Sequence, residues 1–313
     1  MPGFPGLSGV SRASVFDIKP GDISTIAGGH RVMAVPGGVF AMGSARTHAD
    51  FGNAAPRMVQ VRPFRLGVTP VTESEFARVM GQKGNERAGN NHPVTRVSWN
   101  RACDYLTRVN QNVDQRDRAD LPTEAEWECA AVGDAINVRS FMDEMNFRSA
   151  EQLIGFLKEH DAFEKFVSAL ELGARIITDI DSNEFAQMIN GKGNIYAWRT
   201  HATENGRSDQ RYWWQKLGTT DVAEGQRRGG YGHSDMMGHV WEWCWDVYGK
   251  NAYSELPQVD PRNEPSTEDD RPRVLRGASW DDFDPRYLRG AYRCYYPPGN
   301  GYSLIGFRVA AAP

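Results

Sequence analysis

Residues able to bind metals or attack substrates are few and scattered in this 313-residue chain. Its cysteines form no C-x-x-C pair, and its seven histidines fall in no spacing typical of zinc ligands. The chain begins without a recognisable secretory signal, so we expect reduced thiols rather than a disulfide framework. The sequence therefore predicts no bound metal and no cofactor. The cysteines are Cys103, Cys129, Cys244 and Cys294.

Two groups of carboxylates are close enough in sequence to suggest chemistry. Glu124, Glu126 and Glu128 fall in one predicted helix, where we expect cap and surface positions rather than an acid–base pair. The acidic stretch 281–284 carries oxygen ligands of the kind that calcium prefers, but a solvated acidic loop needs no metal. Neither group predicts a catalytic centre.

Tyrosine is concentrated near the C-terminus. Five of the eleven tyrosines lie within residues 286–304, a stretch broken by glycine and proline. Tyrosine offers a large, rigid contact area at low entropic cost, which is typical of binding loops. The alternative is that these tyrosines are core residues of an irregular loop. Against burial of both, Tyr295 and Tyr296 are followed by Pro-Pro-Gly-Asn-Gly, a turn-forming sequence.

Composition and charge exclude several classes of protein. The net charge is −4 and there is no basic block, which argues against a nucleic-acid partner. No apolar run reaches the ~18 residues of a transmembrane helix. We therefore expect synthesis in the cytoplasm, with display on a cell surface or virion only by a route that needs no signal peptide.

The elements that position these residues follow from local patterns. Pro36 to Gly38 predict a turn between two strands, and 58–68 alternates like a half-buried strand. Three helices have N-terminal cap signals, two of them with capping-box spacing. The predicted caps are Thr72 with Glu75, Ser98, and Thr123 with Glu126.

The second half of the chain combines a helical block with aromatic strands. Residues 137–192 have helical periodicity, including a capped helix ending at Gly191, and predict an insertion packed beside the main domain. Tryptophans at 241, 243 and 245 alternate as on one face of a strand, and we expect them in the core. Ile305, Phe307 and Val309 alternate in the same way.

Seven motifs occur in order along the chain: VPGGVFAMGS, RPFRLGVTPVTESEF, HPVTRVSW, LPTEAEWECAA, MMGHVWEWCWDVYG, VLRGASW and IGFRVA. Together they resemble the formylglycine-generating-enzyme/sulfatase-modifying-factor domain. The resemblance covers about 31–136 and 193–313, after an N-terminal arm of residues 1–30. It implies an α+β, C-type-lectin-like fold with short, mostly antiparallel strands, two main helices and much irregular loop.

The catalytic features that the resemblance implies are incomplete. Catalytic members bind copper through two cysteines shortly after the motif GASW, where this chain has the stretch 281–287 without cysteine. Cys294 is single, and one thiol cannot form a two-thiolate copper site. The related iron-dependent sulfoxide synthases take histidine ligands from an extra N-terminal domain, which we do not expect from a 30-residue arm. The family's calcium-type site retains Glu242 but has His239 in place of asparagine. We therefore expect no enzyme activity.

The C-terminal region is most similar to the variable proteins of diversity-generating retroelements. In these proteins adenine-directed mutagenesis rewrites surface codons, and the rewritten codons cannot encode Lys, Glu, Gln, Met or Trp. Residues 281–304 contain none of these types, although they make up 54 of 313 residues and about four would be expected. Pro285, Arg286, Leu288, Arg289, Ala291 and Arg293 match the spacing of the fixed framework.

The resemblance implies a hypervariable binding surface on residues 281–304, called here the variable segment. Its ligand is expected to be a protein or other surface macromolecule, and the oligomeric state is left open. We expect the segment's aromatic side chains to be exposed above buried Trp280, Ile305 and Phe307. The alternatives are a metal-dependent oxidoreductase of the formylglycine-generating type with an unrecognised site, and a structural accessory protein. The predicted ligand-binding residues are Asp281, Asp282, Phe283, Tyr287, Tyr292, Cys294, Tyr295, Tyr296, Asn300, Tyr302, Ser303 and Leu304.

Overall fold

The computed structural model describes residues 21–43, 57–132, 222, 231–236, 238–266, 270–282, 287 and 290–313. The predicted insertion 137–192 and most of the N-terminal arm lie outside these residues. No helix of the described part is long and apolar enough to cross a membrane.

Ten short strands and four helices make up the described part. The strands are β1 Ile23–Thr25, β2 Arg31–Val35, β3 Gly38–Met42, β4 Arg57–Val61, β5 Phe64–Gly67, β6 Trp241–Val247, β7 Arg273–Arg276, β8 Cys294–Tyr296, β9 Ile305–Gly306 and β10 Ala310–Ala311. The helices are α1 Glu73–Met80, α2 Trp99–Val109, α3 Glu124–Val132 and α4 Ala252–Glu255, with 3-10 turns at Ala27–Gly29 and Gln115–Asp117.

The strands form three small sheets. One has the order β1-β2-β5-β10, the second is the hairpin β3-β4, and the third has the order β8-β7-β6-β9. Every pairing between these strands is antiparallel except β6 with β9. This confirms the predicted α+β fold of short, mostly antiparallel strands.

The predicted helix caps are confirmed. At α1, Glu75 N donates to Thr72 Oγ1 over 3.2 Å and Thr72 N donates back to Glu75 Oε2 over 2.8 Å. Ser98 caps α2 by accepting from the amide of Arg101. At α3, Thr123 N donates to Glu126 Oε2 over 2.8 Å, which completes the second capping box.

Two strand predictions need correction. The predicted strand 58–68 is two strands, β4 and β5, separated at Pro63, which has no amide hydrogen to donate. The chain changes sheets there: β4 pairs with β3, whereas β5 pairs with β2 and β10. The C-terminal run 305–311 is buried at every position rather than at alternate ones. It lies between the first and third sheets: β9 pairs with β6, whereas the carbonyl of Val309 accepts from Gly67 N.

The core is aromatic and lies between these sheets and the helices. The rings of Phe76 and Tyr105 stack at 5.3 Å, and Phe307 meets Tyr105 edge-on at 5.5 Å. Of the three tryptophans of β6, Trp241 and Trp243 are buried as expected, whereas Trp245 is half-buried. This core fixes β6, β7 and the C-terminal run, which together carry the variable segment.

Candidate ligand-binding surface

The main chain of the variable segment is bound to the scaffold. β8 pairs with β7, and the carbonyl of Tyr302 accepts from Arg96 N over 3.0 Å. The carbonyl of Pro298 accepts from Asn100 N over 3.2 Å, and that of Leu304 accepts from Trp241 N over 2.7 Å. These are backbone–backbone bonds, so they hold the path of 294–304 without help from its exposed side chains.

The predicted ligand-binding side chains divide by exposure. Tyr295 and Tyr302 are 50% and 55% exposed, the largest values among the large hydrophobic side chains of the described part. Asp281 and Asn300 are also exposed. The half-buried members are Asp282, Tyr287, Cys294, Tyr296, Ser303 and Leu304. Phe283 lies outside the described residues.

The expected exposure is wrong for Tyr292, and Tyr287 and Tyr296 are half-buried and pack against the core. Only 8% of the surface of Tyr292 is exposed, and its ring lies 4.9 Å from that of Tyr287 and 5.9 Å from that of Trp241. Trp280, expected to be buried, is instead half-buried. Ile305 and Phe307 are buried as expected. The aromatic residues of this region therefore form two layers, with Tyr292 in the lower one.

Asp282 is engaged within the protein. Its Oδ2 accepts from both the amide and the hydroxyl of Ser279 over 2.6 Å, which closes a turn after β7. Burial raises the pKa of Asp282, although these hydrogen bonds oppose the shift. The carboxylate stabilises the start of the segment and is not free to face a ligand.

Gly301 is a constrained position between exposed neighbours. A Cβ atom at Gly301 would lie 2.5 Å from the carbonyl oxygen of Arg96, too close for any side chain without movement of the main chain. Gly299, two residues earlier, has open space at the same atom. The close approach at Gly301 lets the loop lie against the chain before α2 while Asn300 and Tyr302 point outwards.

A buried network of charges lies beneath the segment. Glu124 Oε1 accepts from Arg276 Nη1 at 2.9 Å, and its two oxygens accept from Arg293 Nε and Nη2 at 2.5 and 2.8 Å. Glu128 accepts from Arg276 Nη2 at 2.5 Å. The hydroxyl of Tyr253 lies 3.2 Å from an oxygen of each carboxylate and donates its single proton between them. The network joins α3, β7 and the chain just before β8.

The surface position predicted for Glu124 and Glu128 is therefore wrong. They are 3% and 1% exposed, because α3 packs its N-terminal turns against β6 and β7 rather than towards solvent. Glu126 does close the capping box and is half-buried. The arginine partners make burial of these carboxylates possible, since an unpaired buried charge is strongly unfavourable.

The pKa shifts of the buried carboxylates differ from one residue to the next. Burial opposes ionisation of Glu124, but Arg293 and Arg276 outweigh it and hold the pKa of Glu124 below its ordinary value. Burial raises the pKa of Glu128 despite Arg276. Burial and the nearby charge of Glu124 raise the pKa of Asp246 to about 7. Asp246 accepts from the amides of Glu124 and Asn263, each over 2.7 Å.

A second buried pair occupies the position that the resemblance relates to the family's calcium-type site. Glu242 accepts from Arg308 Nε and Nη2 at 2.6 and 2.7 Å, and from Trp127 Nε1 at 2.7 Å. Both carboxylate oxygens of Glu242 thus already serve protein donors. His239 is buried nearby, 3.5 Å from Asp235. Glu242 as placed does not fit the role of a calcium ligand.

The cysteines do not fit a copper centre. All four are free thiols. Burial is the main cause that raises the pKa of Cys294 to about 11 and that of Cys103 to about 12, so both are protonated near neutrality. Cys129 and Cys244 are buried in the core. A copper site of the implied kind needs two neighbouring thiolates, and the segment offers one protonated thiol.

Sequence reasoning missed the buried arginines as positioning residues. Arg276 and Arg308 stand within the apolar runs VLRGASW and IGFRVA, and both are fully buried. A buried arginine requires a carboxylate partner. An arginine within an apolar run was therefore the sequence signal for a buried ion pair. Their partners come from distant parts of the chain, which only the fold brings together.

Comparison with known proteins agrees with the fold. A family model of the sulfatase-modifying factor enzyme 1-like domain matches residues 24–313, so the chain belongs to this family. The formylglycine-generating enzyme of Streptomyces coelicolor is 26% identical, over 88% of this chain and 87% of that protein. The structure of PvdO from Pseudomonas aeruginosa has a TM-score of 0.59 at 18% identity, over 94% of this chain and 99% of its own. Treponema denticola variable protein 1 has a TM-score of 0.52 at 19% identity, over 93% and 99%.

Proposed function

We propose that this protein is a non-catalytic binding protein whose variable segment forms a hypervariable surface diversified by a retroelement. The expected ligand is a protein or another surface macromolecule. The contacting side chains are those of the segment that reach the surface, foremost Tyr295, Asn300 and Tyr302, with Tyr287 and Tyr296 beside them. Tyr292 and Asp282 support this surface from below.

The observation that carries the proposal is the division between main chain and side chain. Between 294 and 304 the scaffold holds the segment by backbone bonds, whereas the side chains of Tyr295 and Tyr302 lie half in solvent. A loop built in this way keeps its path when its exposed side chains are exchanged. Substitutions at such exposed positions change stability by within about 0.5 kcal/mol.

Sequence and comparisons support the same proposal. The variable segment lacks all five residue types that adenine-rewritten codons cannot encode. A protein of similar fold is named a variable protein. The buried arginine of the segment, Arg293, is among the residues that match the fixed framework, and its role is internal.

The DNA around the gene provides the test. We expect a near-identical repeat of the 3′ end of the gene beside a reverse-transcriptase gene. At the codons for Tyr295, Asn300 and Tyr302, the repeat should carry adenines where the gene can carry any base. At the codons for Gly301 and Arg293, the gene and the repeat should not differ at adenines. Absence of such a repeat, or differences spread evenly over fixed and exposed positions, would refute diversification.

A second candidate is a formylglycine-generating oxidase, favoured by the likeness to the Streptomyces coelicolor enzyme over most of both chains. The thiols available as copper ligands argue against it, because Cys294 is a single protonated thiol. The purified protein should therefore form no formylglycine in a cysteine-containing sulfatase peptide supplied with Cu(I) and oxygen. Mass spectrometry showing conversion of that cysteine would establish the enzyme instead.

A further inference from the structure

A tyrosine outside the variable segment shares its surface. The ring of Tyr248, just after β6, stacks on that of Tyr295 with centroids 4.2 Å apart and planes inclined by 31°. Tyr248 is half-buried and Tyr295 is half exposed, so the two rings form one continuous aromatic area. One half of this area belongs to the segment and the other half to the scaffold.

Tyr248 is held in place from behind. Its amide donates to the carbonyl of Pro272 over 2.8 Å. The guanidinium of Arg293 lies 4.8 Å from its ring centroid and is itself fixed by Glu124 and by the carbonyl of Gly249. The orientation of Tyr248 therefore does not depend on Tyr295, and little rotamer entropy remains to be lost on binding.

The polar tips of both rings are available. Within the described residues, neither the hydroxyl of Tyr248 nor that of Tyr295 makes a hydrogen bond to the protein. A rigid aromatic ring with an unused hydroxyl is typical of the residues that dominate protein-binding surfaces. If position 295 is rewritten to a small residue, the ring of Tyr248 loses its cover and becomes more accessible.

We infer that Tyr248 is a permanent contact residue of the binding surface, and that the partner is the surface of a folded protein. This inference rests on the proposed function. The scaffold supplies one fixed aromatic anchor, and the segment supplies the contacts that differ between variants. When residue 295 is aromatic, Tyr248 contacts the partner with its ring packed on that of residue 295. When residue 295 is small, the more exposed ring of Tyr248 makes the contact by itself.

A laboratory library tests this with ubiquitin as the probe protein. The codons for Asp281, Tyr287, Tyr295, Tyr296, Asn300 and Tyr302 are replaced by NNC, and displayed variants are selected for binding to ubiquitin. Each selected clone then receives Tyr248→Ser, Tyr248→Phe or, as a matched control two residues away, Lys250→Ser. Lys250 is exposed and has no place in the stack.

We expect Tyr248→Ser to weaken binding by at least about tenfold in most clones, with Tyr248→Phe and Lys250→Ser within about threefold. Melting temperatures of the unbound variants separate lost contact from lost folding. Should Tyr248→Ser prove unfolded, Tyr248→Leu covers Arg293 without an aromatic ring and is expected to weaken binding similarly. Clones that bind equally well with Tyr248→Ser or Tyr248→Leu would overturn this inference but not the proposed function. A library without any binder would overturn the proposed function and this inference with it.

Discussion

Replacing Glu124 by glutamine tests the buried network most severely. The change keeps the shape of the side chain but removes the charge that faces Arg276 and Arg293. It leaves two guanidinium groups beside the single carboxylate of Glu128, and it places an amide N–H₂ group where Arg293 or Arg276 needs an acceptor. Glu124 is 3% exposed, so water cannot replace the lost interaction.

The expected cost follows from that geometry. Removing one partner of a buried ion pair typically lowers the free energy of unfolding by about 3–5 kcal/mol. Glu126→Gln on the same helix is the matched control, because it weakens only the capping box at Thr123 and should cost about 1 kcal/mol. Tyr253→Phe removes the one hydroxyl proton that Glu124 and Glu128 share, and should also cost about 1 kcal/mol.

A double-mutant cycle separates charge from packing. Adding Arg293→Met to Glu124→Gln leaves Arg276 paired with Glu128, so the charges balance again. The double variant should be less destabilised than the sum of the two single changes, with a coupling energy of about 1–3 kcal/mol. Urea denaturation monitored by tryptophan fluorescence gives all four values. If Glu124→Gln costs no more than Glu126→Gln, or if the two changes are additive, the network does not act as argued.

Two further predictions concern a buried imidazole and a strained turn. Burial, with Arg308 nearby, lowers the pKa of His233 to about 3, so the folded state holds it neutral while the unfolded state takes up a proton below about pH 6.5. The stability advantage of the parent over His233→Gln, measured by urea denaturation, should therefore fall by about 2 kcal/mol between pH 7 and pH 5, and an advantage independent of pH would contradict this. Gly277 has a φ of 99°, and a Cβ atom there would lie 2.8 Å from the carbonyl oxygen of Met236. Gly277→Ala should therefore lower the free energy of unfolding by more than about 1 kcal/mol. Gly299→Ala, with open space around the added atom, should change the unfolding free energy by no more than about 0.5 kcal/mol, and equal costs would show that the turn is not strained.

The elements that local patterns determine were predictable from the sequence. The capping boxes at Thr72 and Thr123 depend on residues three apart, and the alternating tryptophans mark β6 within seven residues. Each of these signals is short-range, so no knowledge of the fold was needed to find it.

The missed features depend on contacts between distant residues. Glu124 is separated from Arg293 by 169 positions, and a glutamate in the first turn of a helix is usually exposed. The buried character of the whole run 305–311 likewise depends on its place between two sheets. Within the candidate surface, the prediction of exposed tyrosines is correct for Tyr295 and Tyr302. It is wrong for Tyr292, which is buried, and Tyr287 and Tyr296 are only half-buried. A side chain in a loop without periodicity has no sequence signal for its direction.

The central claim is that the side chains of the variable segment serve binding and not folding. The measurement that tests it most directly compares the unfolding free energy of two variants with that of the parent. In the first, the exposed residues Asp281, Tyr295, Asn300 and Tyr302 are all replaced by serine, and in the second only Phe307 is replaced by alanine. Phe307 is fully buried, and its truncation should cost about 3–5 kcal/mol.

The fourfold serine variant should lose no more than about 2 kcal/mol, since each exposed position contributes within about 0.5 kcal/mol. It should retain the parent's secondary structure by circular dichroism while losing affinity for any ligand of the parent. A fourfold variant destabilised as much as Phe307→Ala would show that these side chains hold the fold together, which would contradict the account.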